Sequence, residues 1–153
     1  AATLPVGDFP TIEEAQVSFD KAVETLNNAR RNESEDNIKI AVSEAKRAGF
    51  VLGNATRTAD GPMSMPVQAM RIGPAALVAI PVEAFCEIGI AVKGASPAEQ
   101  TLFSGYTNGY MGYMPMADNF EEGGYEVVTT PMAAGAAEET IDVCTDAVKA
   151  LWR

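Results

Sequence analysis

An α/β fold is predicted here: an N-terminal helical hairpin, then a mixed β-sheet with flanking helices and a C-terminal helix. The first ground is a change of hydrophobic period near residue 65, from steps of three and four positions to alternation and short continuous runs. The second is the turn-rich sequence at each change of pattern, which cuts the chain into short elements of both kinds. The expected organisation is a single domain or half-domain, with residues 1–60 as the hairpin and residues 66–153 as the α/β part.

Thr11 after Pro10, with Glu13 and Glu14 behind it, is a helix start carrying acidic residues where the helix dipole favours them. Ile12, Ala15, Phe19, Val23 and Leu26 then recur on one face, predicting a helix over residues 12–30. The polar residues 31–36 form a turn. Ile38, Val42, Ala45, Phe50 and Leu52 outline a second amphipathic helix ending near Gly53, antiparallel to the first. Residues 54–65 are rich in turn formers. Residues 67–72 and 75–81 then read as two strands of a hairpin around Gly73-Pro74, the second apolar enough to be buried on both faces. A helix is expected over 83–93, closed by Gly94 and Pro97, followed by a short strand at 101–104. A further strand is expected at 125–129, and a last helix over 133–152 with Ile141, Cys144, Val148 and Leu151 on one face.

The 153 residues are 47% hydrophobic at a mean hydropathy of zero, enough apolar surface for a core. The net charge of −10 repels phosphate backbones and anionic headgroups, which disfavours nucleic-acid and electrostatic membrane binding. No stretch approaches the roughly 20 apolar residues of a membrane span. The chain contains no histidine, so neither a Ser-His-Asp triad nor a self-sufficient histidine metal site exists within it. Cys86 and Cys144 lack metal-knuckle spacing and are read as buried free thiols rather than a disulfide. Asn32-Glu33-Ser34 and Asn54-Ala55-Thr56 have the form of glycosylation sequons and are taken as loop markers. The start at Ala-Ala-Thr-Leu-Pro, without Met or a signal pattern, reads as a processed product or a piece of a longer chain.

Residues 105–115 stand apart: three tyrosines and three glycines in a loop at a strand end, where glycines permit close backbone approach and phenols offer hydrogen bonds. A surface-packed aromatic turn accounts for the same composition. Glu83 follows a buried strand, the position where sites gather in α/β sheets, although an acidic first-turn residue favoured by the helix dipole would stand in the same place. Asp118, Glu121, Glu122 and Glu126 lack EF-hand spacing and read as a solvated face. The glycine loop lacks the Lys and Ser/Thr of a phosphate-binding loop, so nucleotide binding is discarded.

Taken together, Met70-Arg71-Ile72-Gly73, the run from Val78 through Pro81-Val82-Glu83 to Phe85, the stretch Gly105-Tyr106-Thr107-Asn108-Gly109-Tyr110-Met111-Gly112-Tyr113, and Gly124-Tyr125-Glu126 resemble the neutral/alkaline non-lysosomal ceramidase family over about half the chain. That resemblance implies zinc-dependent hydrolysis of an N-acyl amide. It implies Glu83 and Tyr113 as metal ligands, Tyr125 as the hydroxyl facing the oxyanion, and Asn108 and Tyr110 as shapers of the substrate loop. Val82 stands where the family has glycine, and Asp118-Asn119-Phe120 where Glu-Glu-Tyr is usual. The family's zinc histidines and active-site serine belong to a long N-terminal region that has no counterpart here.

The reading that follows is the C-terminal portion of a ceramidase-like amidohydrolase, inactive alone. Its expected partners are an N-terminal portion or second chain, met through an apolar interface at the glycine-tyrosine loop, and a lipid amide substrate. The alternative is a non-enzymatic structural or self-assembling subunit that reuses the fold, as a homo-oligomer. For localisation, the resemblance and the sequons lean toward a secreted or periplasmic protein, the unpaired cysteines the other way.

Overall fold

A computed structural model describes residues 1–153. The chain divides into two compact units, Asp8–Gly61 and a second made of Ala1–Gly7 with Pro62–Arg153. Its helices and mixed sheets, with a helical pair near the N-terminus and a helix at the C-terminus, form the α/β fold expected. No helix is long and apolar enough to cross a membrane.

The unit Asp8–Gly61 is a pair of helices, α1 (Ile12–Asn32) and α2 (Glu35–Arg57). Thr11 and Glu14 form a reciprocal capping box: the Glu14 N–H donates to the Thr11 hydroxyl at 3.2 Å, and the Thr11 N–H donates to the Glu14 carboxylate at 3.0 Å. Buried alanines, Ala15 and Ala29 on α1 and Ala41 and Ala45 on α2, let the two backbones approach. A Cβ at Gly49 would stand 3.3 Å from the Phe19 ring, so the missing side chain makes room for that aromatic. α2 runs past Gly53, because nothing there forces a left-handed turn and the helix ends only where the Thr58 N–H bonds the Asn54 carbonyl. Asn54 is therefore a buried helical residue, 4% exposed, and not the loop marker its sequon suggested.

In the other unit β1 (Ala2–Leu4) pairs antiparallel with β2 (Met63–Met65), two three-residue strands without a periodic signal in the sequence. β3 (Gln68–Ile72) and β4 (Ala75–Ala79) form the predicted hairpin, with Gly73 at φ +60° in its turn. α3 (Cys86–Ala95) then crosses over and β6 (Gln100–Ser104) returns parallel to β4, giving the order β3-β4-β6. A separate two-stranded sheet pairs β5 (Glu83–Ala84) in parallel with β7 (Tyr113–Met114). α4 (Asn119–Glu122), α5 (Tyr125–Thr129) and α6 (Ala136–Ala150) complete the unit. α3 packs on α6, and Val78, Ile80, Ile88, Val92, Cys144 and Val148 meet in the core, each fully buried.

Four local expectations change. The helix expected from residue 83 begins at Cys86, because Glu83 and Ala84 are drawn into the β5–β7 ladder. Residues 125–129 are helical, not a strand: Gly123 and Gly124, both at positive φ, turn the chain, and the Thr130 N–H closes one helical turn on Glu126, overriding the β preference of Val127 and Val128. β4 is not fully buried on both faces: Ala76 and Val78 lie in the core, while on the opposite face Ala75 and Leu77 are half-buried and only Ala79 is buried. Cys86 is an exposed thiol, its pKa raised chiefly by the hydrogen bond it donates to Glu87; Cys144 is buried, and burial pushes it up to about 11.

Because Ile88 is fully buried at the centre of this core, Ile88→Ala should cost about 2–5 kcal/mol in urea unfolding with the m-value unchanged. A change within about 0.5 kcal/mol would contradict the packing described.

Candidate functional site

The site is built on a segment and a loop that satisfy one another's backbone groups. Tyr106 N–H donates to the Val82 carbonyl at 3.0 Å, Thr107 N–H to Ile80 at 3.0 Å, and Met111 N–H to Pro81 at 2.7 Å. In return Glu83 N–H donates to Gly112 at 3.0 Å and Phe85 N–H to Met114 at 3.2 Å. A loop bonded this way cannot be a loose surface turn. The close approach depends on Gly105, where a Cβ would lie 2.8 Å from the Val82 carbonyl oxygen. Two non-glycine residues, Tyr106 at φ +54° and Asn108 at φ +61°, hold left-handed backbone in the same loop.

This stitching puts Glu83 directly opposite Tyr113 in the β5–β7 register. Partners on adjacent strands stand about 5 Å apart, so a carboxylate and a phenol share one small volume. Three tyrosines gather around that carboxylate: Tyr110 donates its hydroxyl to it at 3.4 Å, and Tyr106 and Tyr113 lie close enough for Glu83 to raise their pKa values. The Tyr106 and Tyr110 rings stack at 5.5 Å with 10° between their planes. The Tyr125 ring meets Tyr113 edge-on at 5.9 Å, carried there by α5. Thr130 fixes the far side by donating its hydroxyl to the Tyr113 carbonyl at 2.7 Å.

The Glu83 carboxylate holds protons on its neighbours. Its hydrogen bond, then lost solvation and its negative charge, push Tyr106 up to about 12. Tyr113 is raised too, first by lost solvation and then by Glu83. Both are neutral phenols at ordinary pH.

The sequence-derived residues fall out unevenly. Glu83, Tyr110, Tyr113 and Tyr125 come together. Asn108 does not join them: its side-chain amide donates to Gln68 at 3.0 Å, tying the loop to β3. Tyr106, in the heart of the cluster, was not singled out, and the only sequence signal for it is its place directly after Gly105. As a metal site the cluster offers a carboxylate and a phenol, half of a tetrahedral zinc set, and no group of three His, Cys, Asp or Glu side chains stands together in the chain.

No family model and no curated protein matches the chain. Among solved structures it is similar to the neutral ceramidase of Pseudomonas aeruginosa, at 26% identity and a TM-score of 0.51 over 56% of this chain and 15% of that one. It is also similar to a ceramidase described as complexed with C2, at 26% identity and a TM-score of 0.52 over 56% of this chain and 14% of that one. The chain thus corresponds to a minor part of either structure.

A tyrosine pKa raised in the fold stabilises the fold below the unfolded value of about 10, and that contribution is lost as pH rises through the folded value. In a titration followed by phenolate absorbance, one tyrosine should ionise near pH 12, and Glu83→Gln should return it toward the ordinary range. A titration unmoved by the substitution would contradict the influence of Glu83 on Tyr106. Gly105→Ala should cost about 1–3 kcal/mol in chemical denaturation by forcing the loop off Val82; unchanged stability would contradict the close approach.

Proposed function

We propose that this chain supplies part of the active site of a zinc-dependent, ceramidase-like amidohydrolase acting on N-acyl amides of lipids, with the histidine ligands coming from another portion of the assembled protein. The observation that carries this reading is the registered pairing of Glu83 with Tyr113, with Tyr125 against the Tyr113 ring. These are the residues that the resemblance assigns to metal and oxyanion, and the likeness to bacterial neutral ceramidase supports it at the level of the fold and of 26% identity.

Glu83 and Tyr113 are the ligands this chain would contribute. Zinc, when bound, supplies Lewis-acid activation of water for amide hydrolysis. Glu83 has the fixed negative charge that favours a cation. Tyr113 holds its proton until a cation competes for the phenol oxygen, so its release couples metal retention to pH. The Tyr125 hydroxyl is the hydrogen-bond donor to the oxyanion of the tetrahedral intermediate, a contact that strengthens as charge develops. Tyr110 orients the Glu83 carboxylate by donating to it, and Tyr106 stacks on the Tyr110 ring.

In the assembled protein, Glu83→Ala should abolish zinc retention measured by metal analysis, and unchanged zinc content would sink the assignment. Zinc retention should weaken as pH falls, because Tyr113 then keeps its proton; retention independent of pH would contradict a phenolate ligand. Tyr125→Phe should keep the zinc and lower kcat on an N-acyl amide by roughly 100-fold or more, the range for a lost oxyanion donor; an unchanged kcat would remove Tyr125 from the reaction.

A further inference from the structure

The sheet β3-β4-β6 has two unlike faces. On one, Ala69, Val78 and Phe103 form a cross-strand row under α3 and α6, with Gly89 of α3 close on the Phe103 ring. On the other, Met70, Leu77 and Leu102 form the matching row, with Leu77 half-buried between exposed neighbours: Met70 is 50% exposed, Leu102 63%, and Ile72, beside them on β3, 67%. No charged side chain occupies this face, although the chain is 21% charged. The one charge on these strands, Arg71, lies on the covered side, its guanidinium 4.4 Å from the Trp152 ring centre and bonded to the Leu151 carbonyl at 3.0 Å.

We infer that this bare face is the docking surface for an apolar layer of the polypeptide that completes the Glu83–Tyr113 site. The inference rests on the proposed function and names where its partner sits. β3 and β4 run antiparallel and β4 and β6 parallel; a solvated face of such a sheet is ordinarily polar, whereas this one presents an open row of Met, Leu and Ile that a partner would cover. Three strands of five residues present only on the order of 200–250 Å² in plan, against about 800 Å² per partner in a stable interface. The contact must therefore extend beyond the strands.

The surface continues in one direction into the tyrosine loop. Gln68 shares the face with Met70 and Ile72 and accepts the Asn108 hydrogen bond, and Ser104, at the same end of β6, lies 3.0 Å from the Thr107 hydroxyl. A layer seated on Met70 and Leu102 is thereby led to the loop that carries Tyr106, Tyr110 and Tyr113. In the similar solved structures the matched part is 14–15% of the chain, which leaves ample polypeptide to form that layer. A second copy of this chain fits less well: it brings a further net charge of −10 and no histidine, so the site would stay half built.

The test places the photo-cross-linker p-benzoylphenylalanine at Leu102, and separately at Met70, in the chain produced in its cells of origin, and sequences the captured peptide. Capture should fall on an apolar segment of a histidine-bearing polypeptide that co-purifies with zinc, and should be lost in an Ile72→Asp background whose circular-dichroism melt is unchanged. Capture of a second copy, capture of residues 12–57 of the same chain, or no capture at either position would overturn the docking surface. Zinc content of the same material, with and without Glu83→Ala, is read independently. Zinc that depends on Glu83 while capture falls elsewhere sinks only the docking surface; the expected capture with zinc indifferent to Glu83 sinks only the metal assignment.

Discussion

Residues 80–85 and the loop after β6 share one set of backbone hydrogen bonds, and the rest of the site depends on that exchange. The donors of Tyr106, Thr107 and Met111 go to Val82, Ile80 and Pro81, and the donors of Glu83 and Phe85 go to Gly112 and Met114. Neither partner is a regular element long enough to stand by itself: β5 and β7 are two residues each. Each is ordered by the other, at the end of a core in which Ile80, Val82 and Met114 are fully buried. Gly105 permits the approach, and the left-handed Tyr106 and Asn108 show backbone strain that this network holds in place.

Electrostatics then give the cluster its chemical character. The Glu83 carboxylate accepts from Tyr110 and raises the pKa values of Tyr106 and Tyr113, so the charge at the centre of the site keeps those phenols protonated. In the proposed reading, a cation held by Glu83 and Tyr113 would have to displace a phenolic proton. On that reading the two oxygen donors are half of a tetrahedral shell, and the other ligands would come from elsewhere. The exposed apolar row of the β3-β4-β6 sheet adjoins the tyrosine loop through Asn108 and Gln68.

Much of the scaffold was legible in the sequence. The three- and four-residue steps of residues 12–52 encode the helix pair, Thr11 with Glu14 marks its start, and Gly73-Pro74 marks the hairpin turn. Glu83 and the glycine-tyrosine loop drew attention through their position at strand ends. What escaped was whatever long-range contact alone decides. The β5–β7 pair has no period to detect, and α5 forms from strand-favouring residues because two glycines at positive φ turn the chain before it. Arg71 misleads in a different way. A charged residue in an alternating strand reads as marking the solvent side, yet the Arg71 guanidinium lies over Trp152 while Met70 and Ile72 stand exposed on the opposite face. Tyr106 was hidden because its role depends on a left-handed backbone angle.

The central claim is that Glu83 and Tyr113 are one half of a metal site whose other half belongs to a different stretch of polypeptide. Native mass spectrometry of material purified from the cells of origin tests it most directly, at an accuracy that resolves bound zinc and any companion chain. The account predicts a zinc-containing species heavier than 16.1 kDa in which a histidine-bearing polypeptide is present. A metal-free species of 16.1 kDa, or a simple multiple of it, would contradict the account.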